Sequence, residues 1–222
     1  MRRIIFGVLL LLAALTLPVL SEGLEELARQ RIAQETGLDE DLIATMFISE
    51  ENAQFILTFI YIEERTFNSR LKPELKEAIA PYRNRKAMLA LVTPSRESYF
   101  SPLLISFIQD GVTYRVRPNA IHRISDNFTG GTLPAGEVSA GIILLDRLEP
   151  DFTLLPGERL ELDVNKPFQI GYMEDYTTNF ALGSGESSGL GVGRSSDDMG
   201  LLRFLLLQLL SFFLFLLLSF LI

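Results

Sequence analysis

No feature restricts the fold of this chain as much as the stretch "GLLRFLLLQLLSFFLFLLLSFLI" at residues 200–222. Leu201–Ile222 holds one charge, Arg203, and at 1.5 Å of rise per residue a helix of this length covers about 33 Å, against a hydrocarbon core of about 30 Å. A buried helix of a soluble protein would show a polar face at helical spacing, whereas Gln208, Ser211 and Ser219 are the only polar interruptions after Arg203. Residues 201–222 are therefore expected to form a transmembrane helix. Arg203 marks its membrane boundary, where a long side chain reaches the headgroups at little cost.

The opening "MRRIIFGVLLLLAALTLPVLSEG" has the layout of a secretory signal. Arg2 and Arg3 precede an apolar run, Ile4–Leu20, and Ser21 is the candidate cleavage residue, with Val19 and Ser21 where a signal peptidase favours small side chains. An uncleaved signal anchor of the same orientation is the alternative for residues 1–21. In both cases the arginines hold the N-terminus in the cytoplasm, the middle is exported, and the tail returns to the membrane. Between body and tail, "ALGSGESSGLGVGRSSDDMG" at 181–200 is expected to be a flexible linker, with a reach of about 20–30 Å for its length. Gly183 and Gly185 do not open a dinucleotide-binding loop, because no strand is expected before them and no helix after. The basic stop found after many bacterial sorting tails is missing, since no Lys or Arg follows Phe204. A lipid-anchor signal is a second reading of the tail, and Gly185, Ser187, Ser188, Gly189, Ser195 and Ser196 supply small attachment positions.

Charge bounds the partners of the exported part. Setting aside Arg2, Arg3 and Arg203, the 20 Lys and Arg fall to 17, against 28 Asp and Glu, a net charge of −11. Such a balance makes nucleic acid and anionic lipid surfaces poor partners, and no nucleic acid is expected. The chain has no cysteine, so its fold rests on core burial without disulfides.

Hydrophobic period changes near Pro94. In "EGLEELARQRIAQETG" Leu24, Leu27, Ala28 and Ile32 share one face and Gly37 ends the run, which predicts an amphipathic helix. "DLIATMFISEENAQFILTFIYIEE" gives two apolar runs around a turn at Ser49–Asn52, a hairpin. In its second arm Phe55, Leu57, Phe59 and Tyr61 face one way, Ile56, Thr58, Ile60 and Ile62 the other. Apolar residues on both faces predict a central strand. "KPELKEAIAP" starts a helix at Pro73 and ends it at Pro81, and "AMLALVTP" adds a strand. Residues 22–95 thus read as a small α/β domain with helices on a sheet. Beyond them, Asp110-Gly111 lies between β-rich arms and demands a type I′ hairpin, and turns at "TGG", "LPAGE" and "LLPGERLEL" alternate with runs such as "SAGIILL" and "LELDV". Residues 96–180 are expected to form a β-sandwich domain.

The segment "GGTLPAGEVSAGIILLDRLEP", with Gly131, Leu133, Gly136 and Gly141 ahead of an apolar strand, resembles immunoglobulin-like domains of bacterial secreted or lipid-anchored proteins of unknown function. The likeness covers about residues 100–165. It implies a fold and an extracytoplasmic setting, and carries no site residues. The expected fold class is α+β: a small α/β N-terminal unit, then an immunoglobulin-like antiparallel β-sandwich, then a C-terminal transmembrane helix.

Chemistry-bearing residues are sparse. His122, the one histidine, lies near Ser125 and Asp126 in "IHRISDNFTGG", and a hydrolase would need a nucleophile and an orienting acid around it in space. No catalytic or cofactor-binding residue is assigned and no cofactor is expected. No metal site is expected either, since "LDEDL" and "RSSDDM" lack the spacing of a calcium loop. Asn127-Phe128-Thr129 matches the glycosylation acceptor triplet. The favoured function is a non-catalytic, membrane-anchored interaction or structural module of the cell envelope, facing the periplasm or cell surface. Its partners are the membrane, through the tail, and other envelope proteins. An exported hydrolase using His122 and a sensor or assembly subunit of a membrane complex are the alternatives. The tail lacks the Gly-x-x-x-Gly spacing of tight helix pairs.

Overall fold

The computed structural model describes residues 23, 25–153, 160–173, 175–183, 215, 216 and 218–221. The expected signal sequence with Ser21, the expected linker beyond Gly183, Arg203 and most of the 201–222 run lie outside these residues. Among the described residues no helix is long and apolar enough to cross a membrane.

Helix α1 (residues 25–36) leads the body. It buries Ala28, Ile32 and Ala33, while Leu27, expected on the apolar face, is 48 % exposed. The buried face is narrower than the sequence pattern implies. Gly37 (φ 69°) closes the helix by donating its N–H to the Ala33 carbonyl. Strands β1 (Ile43–Glu50) and β2 (Ala53–Tyr61) form the expected hairpin. A short helix α2 (Glu64–Phe67), capped reciprocally by Glu63 and Thr66, and helix α3 (Pro73–Ile79) then lead to β3 (Ala87–Pro94).

β2 pairs with β1 on one side and β3 on the other, as its two apolar faces required. The sheet does not stop at β3. Strand β9 (Ser139–Leu144) adds to it, and β7 (Ile121–Arg123) adds to β9, all antiparallel. The expected boundary at residue 95 therefore falls between strands of one frame, and the later segment does not build both sheets of the sandwich by itself. β3 exposes a full edge of backbone donors and acceptors that only β9 fills, which joins the two segments.

The second sheet has the order β10 (Glu149–Pro150), β6 (Val112–Arg115), β5 (Ile105–Gln109), β11 (Phe168–Tyr172) and β12 (Tyr176–Phe180). Asp110 (φ 51°) and Gly111 (φ 79°) make the two-residue turn between β5 and β6, as their chemistry predicts. β4 (Ser98–Phe100) and β8 (Gly131–Leu133) form a separate pair. "LELDV" is not a strand: residues 160–164 are irregular, with Leu162 and Val164 buried. The Gln109 side chain holds this segment in place of a ladder, accepting from Asp163 N (2.8 Å) and donating to its carbonyl (2.9 Å).

Three layers result. One face of the first sheet meets the second sheet through Phe55 against Tyr172 (5.4 Å), Phe59 against Phe107 (6.4 Å) and Tyr61 against Phe180 (6.1 Å). Its other face meets the helices, where Thr45 Oγ1 donates to Glu25 O (2.7 Å) and Tyr82 packs on His122. Each fully buried Phe, Leu or Ile contributes roughly 1.5–3 kcal/mol. Gly141 is required between the layers, because a Cβ there would lie 2.2 Å from the Phe128 ring. The molecule is thus an α+β, mostly antiparallel, sandwich-like fold.

Candidate functional site

His122 lies on β7, the free edge of the first sheet, and is exposed. Its contact is the Tyr82 ring, centroids 5.3 Å apart. Ser125 is not aimed at it. The Ser125 hydroxyl donates to Asn127 Oδ1 (2.6 Å) and accepts from Ala140 N (2.7 Å), which ties the loop after β7 to β9. A nucleophile bonded to the imidazole and an acid behind it, the requirements of hydrolysis, are not brought together by these residues. The Asn127 amide nitrogen donates to Glu137 (2.7 Å), and Phe128 is buried. Among the described residues no three His, Asp or Glu come together to hold a metal ion.

The densest charged cluster was not legible in the sequence, since its members lie up to 26 residues apart. Arg65, on α2, donates to Asp39 (2.9 Å) and to both oxygens of Asp41 (3.1 and 2.9 Å), and also to Glu63. Asp41 accepts further from Gly183 N (2.9 Å). Burial pulls the Asp41 carboxyl upward, but the Arg65 guanidinium and the Gly183 N–H outweigh it and hold the group below the usual carboxylate range. The bond to Asp41 in turn drives Arg65 above its already high value. Both groups stay ionised at neutral pH, so the cluster suits a clamp and not a proton relay. What it clamps is Gly183, the last described residue of the body, at the start of the Gly/Ser-rich stretch.

β12 lies alongside β1, and the two run between opposite ends of the sandwich. Gly183 meets Asp41 at one end, and the Tyr176 hydroxyl donates to Ser49 O (2.9 Å) at the other, roughly 25 Å away at about 3.3 Å per residue. That far end gathers the β1–β2 turn, the β4–β5 connection and the β11–β12 turn, through Tyr99 N to Asn52 O (3.1 Å) and Met173 N to Leu104 O (3.0 Å). Tyr99, Leu103 and Met173 are large and exposed there. Arg96 crosses the same end, donating to Glu51 O (2.7 Å) and to Glu50 O. One end is thus fixed to the chain's exit, and the other presents apolar side chains among charged ones.

No protein-family model, no curated protein and no solved structure matches this chain.

Proposed function

We propose that the protein is a membrane-tethered extracytoplasmic module of the cell envelope, non-catalytic, which offers the Tyr99–Leu103–Met173 end of its sandwich to another envelope protein. The observation that carries the reading is the order of the chain beyond Gly183: a Gly/Ser-rich stretch, then the apolar run Leu201–Ile222. The Arg65–Asp41 clamp supports it, because it fixes the exit of that tether at the end opposite the exposed apolar residues. An immunoglobulin-like character for about residues 100–165 and cleavage near Ser21 belong to the same reading.

Fractionation tests it. The full chain should stay with membranes through a high-salt wash and leave only with detergent, since the 17 Leu and Phe side chains of residues 201–222, at several tenths of a kcal/mol each, make insertion effectively irreversible. Deleting residues 201–222 should release the body. Leu210→Arg with Leu214→Arg should weaken insertion, at about 2.5–3.5 kcal/mol for each central charge. A truncated chain that still pellets would place the anchor elsewhere. A mature chain whose mass lacks residues 201–222 would favour the lipid anchor.

A further inference from the structure

The end of the apolar run touches the folded body. Residues 215, 216 and 218–221 are helical. Leu221 is fully buried, and Phe220 packs against the core. Lys72, which caps α3, donates its backbone N–H to Leu221 O (2.5 Å) and its ammonium to Ser219 O. Leu216 Cδ1 lies 3.5 Å from where a side chain on Gly136 would begin, and Gly136 N donates to the carbonyl of Pro94 at the end of β3.

These turns have an inside and an outside. Phe215 is 69 % exposed and Ser219 is exposed beside it, its hydroxyl donating to Phe215 O (2.7 Å).

We propose that the end of the C-terminal run, described at residues 215, 216 and 218–221, has two alternative seats, the membrane and its own body at Lys72 and Gly136, and that the docked form shields these residues before insertion. This rests on the membrane-anchored reading. The two seats exclude each other by length. A spanning helix places Leu221 about 30 Å from Leu201, across the hydrocarbon core. In the docked form Leu221 bonds to Lys72.

The chain has no cysteine, so two introduced thiols report on one distance. Lys72→Cys with Ser219→Cys would be made in the full chain by cell-free synthesis, with and without phospholipid vesicles, and treated with a short bis-maleimide. Lys166→Cys with Ser219→Cys is the control, since Lys166 stands by Asp110 at a different loop. The expected result is a cross-link at positions 72 and 219 without vesicles and at least ten-fold less after insertion, with none for the control. Chains cross-linked before vesicles are added should not float with them. Flotation of the untreated chain with no 72–219 cross-link in either sample would overturn docking and leave the anchor reading standing. Equal flotation of cross-linked and free chains would overturn the exclusion. A cross-link in a chain that never floats would overturn the membrane seat, and with it the anchor reading.

Discussion

β3 and β12 are short antiparallel strands of similar make, yet every residue of β3 is buried, while β12 alternates between sheltered and exposed positions along its length. The difference counts layers. β3 lies between the second sheet and the helices, so both its faces must be apolar. Among the described residues β12 has cover on one face only, and Thr177 and Asn179 are exposed. A continuous apolar run thus marks the middle layer and an alternating one the outer layer.

The contrast can be broken first where the two sheets meet. Phe59→Ala removes a fully buried ring from the contact with Phe107 and should cost about 3–5 kcal/mol, read as a fall in the denaturation midpoint at unchanged slope. A cost below 1 kcal/mol would mean that the sheets do not share this core.

A second probe is Tyr172, on the inner face of β11, packed on Phe55 and Phe100 and accepting from Ser101 N (3.3 Å). Burial pushes its hydroxyl up to about 12, from an ordinary 10.0. Between these values the unfolded chain has released the proton and the folded chain keeps it. Stability should therefore hold below pH 10 and fall as pH rises toward 12, by roughly 2–3 kcal/mol from this group. Tyr61, Tyr114 and Tyr176 shift in the same direction, also through burial. Tyrosinate absorbance against pH checks this, and a full amplitude near pH 10 with the fold intact would contradict it.

Arg65→Ala should cost less, about 1 kcal/mol, because the guanidinium is 44 % exposed and screened. Asp41 is held below its ordinary pKa, so the benefit is present above that value and lost as pH falls below it. The gap between wild type and variant should close below about pH 4. Smallest of all, Thr177→Ala on the open face should change stability by no more than about 0.5 kcal/mol. A larger loss would reveal cover on that face.

What was legible in the sequence was local. The two faces of β2, the Asp110-Gly111 turn and the Pro73 helix start each follow from residues within a few positions of one another. The joining of β9 to β3 was not legible, since Gly141 pairs with Ala90 across some fifty residues and periodicity carries no register between distant strands. "LELDV" misled because buried alternation looks the same whether a ladder or the Gln109 side chain holds it. The Arg65 cluster needed the fold to assemble it, and the exposed end with Tyr99 and Met173 needed three separate connections to converge. The contact of His122 with Tyr82 was not legible either, since Tyr82 precedes β3 in the chain and only the fold brings the two rings together.

The claim that the body stands outside the membrane, held by its C-terminal run, is tested most directly with an impermeant amine reagent on sealed, right-side-out vesicles carrying the full chain. Lys166 is the reporter, 60 % exposed at the Asp110 turn. The account expects Lys166 to be labelled without lysis, on protein that survives a high-salt wash. Labelling only after lysis, or loss of the protein into the salt wash, would contradict it.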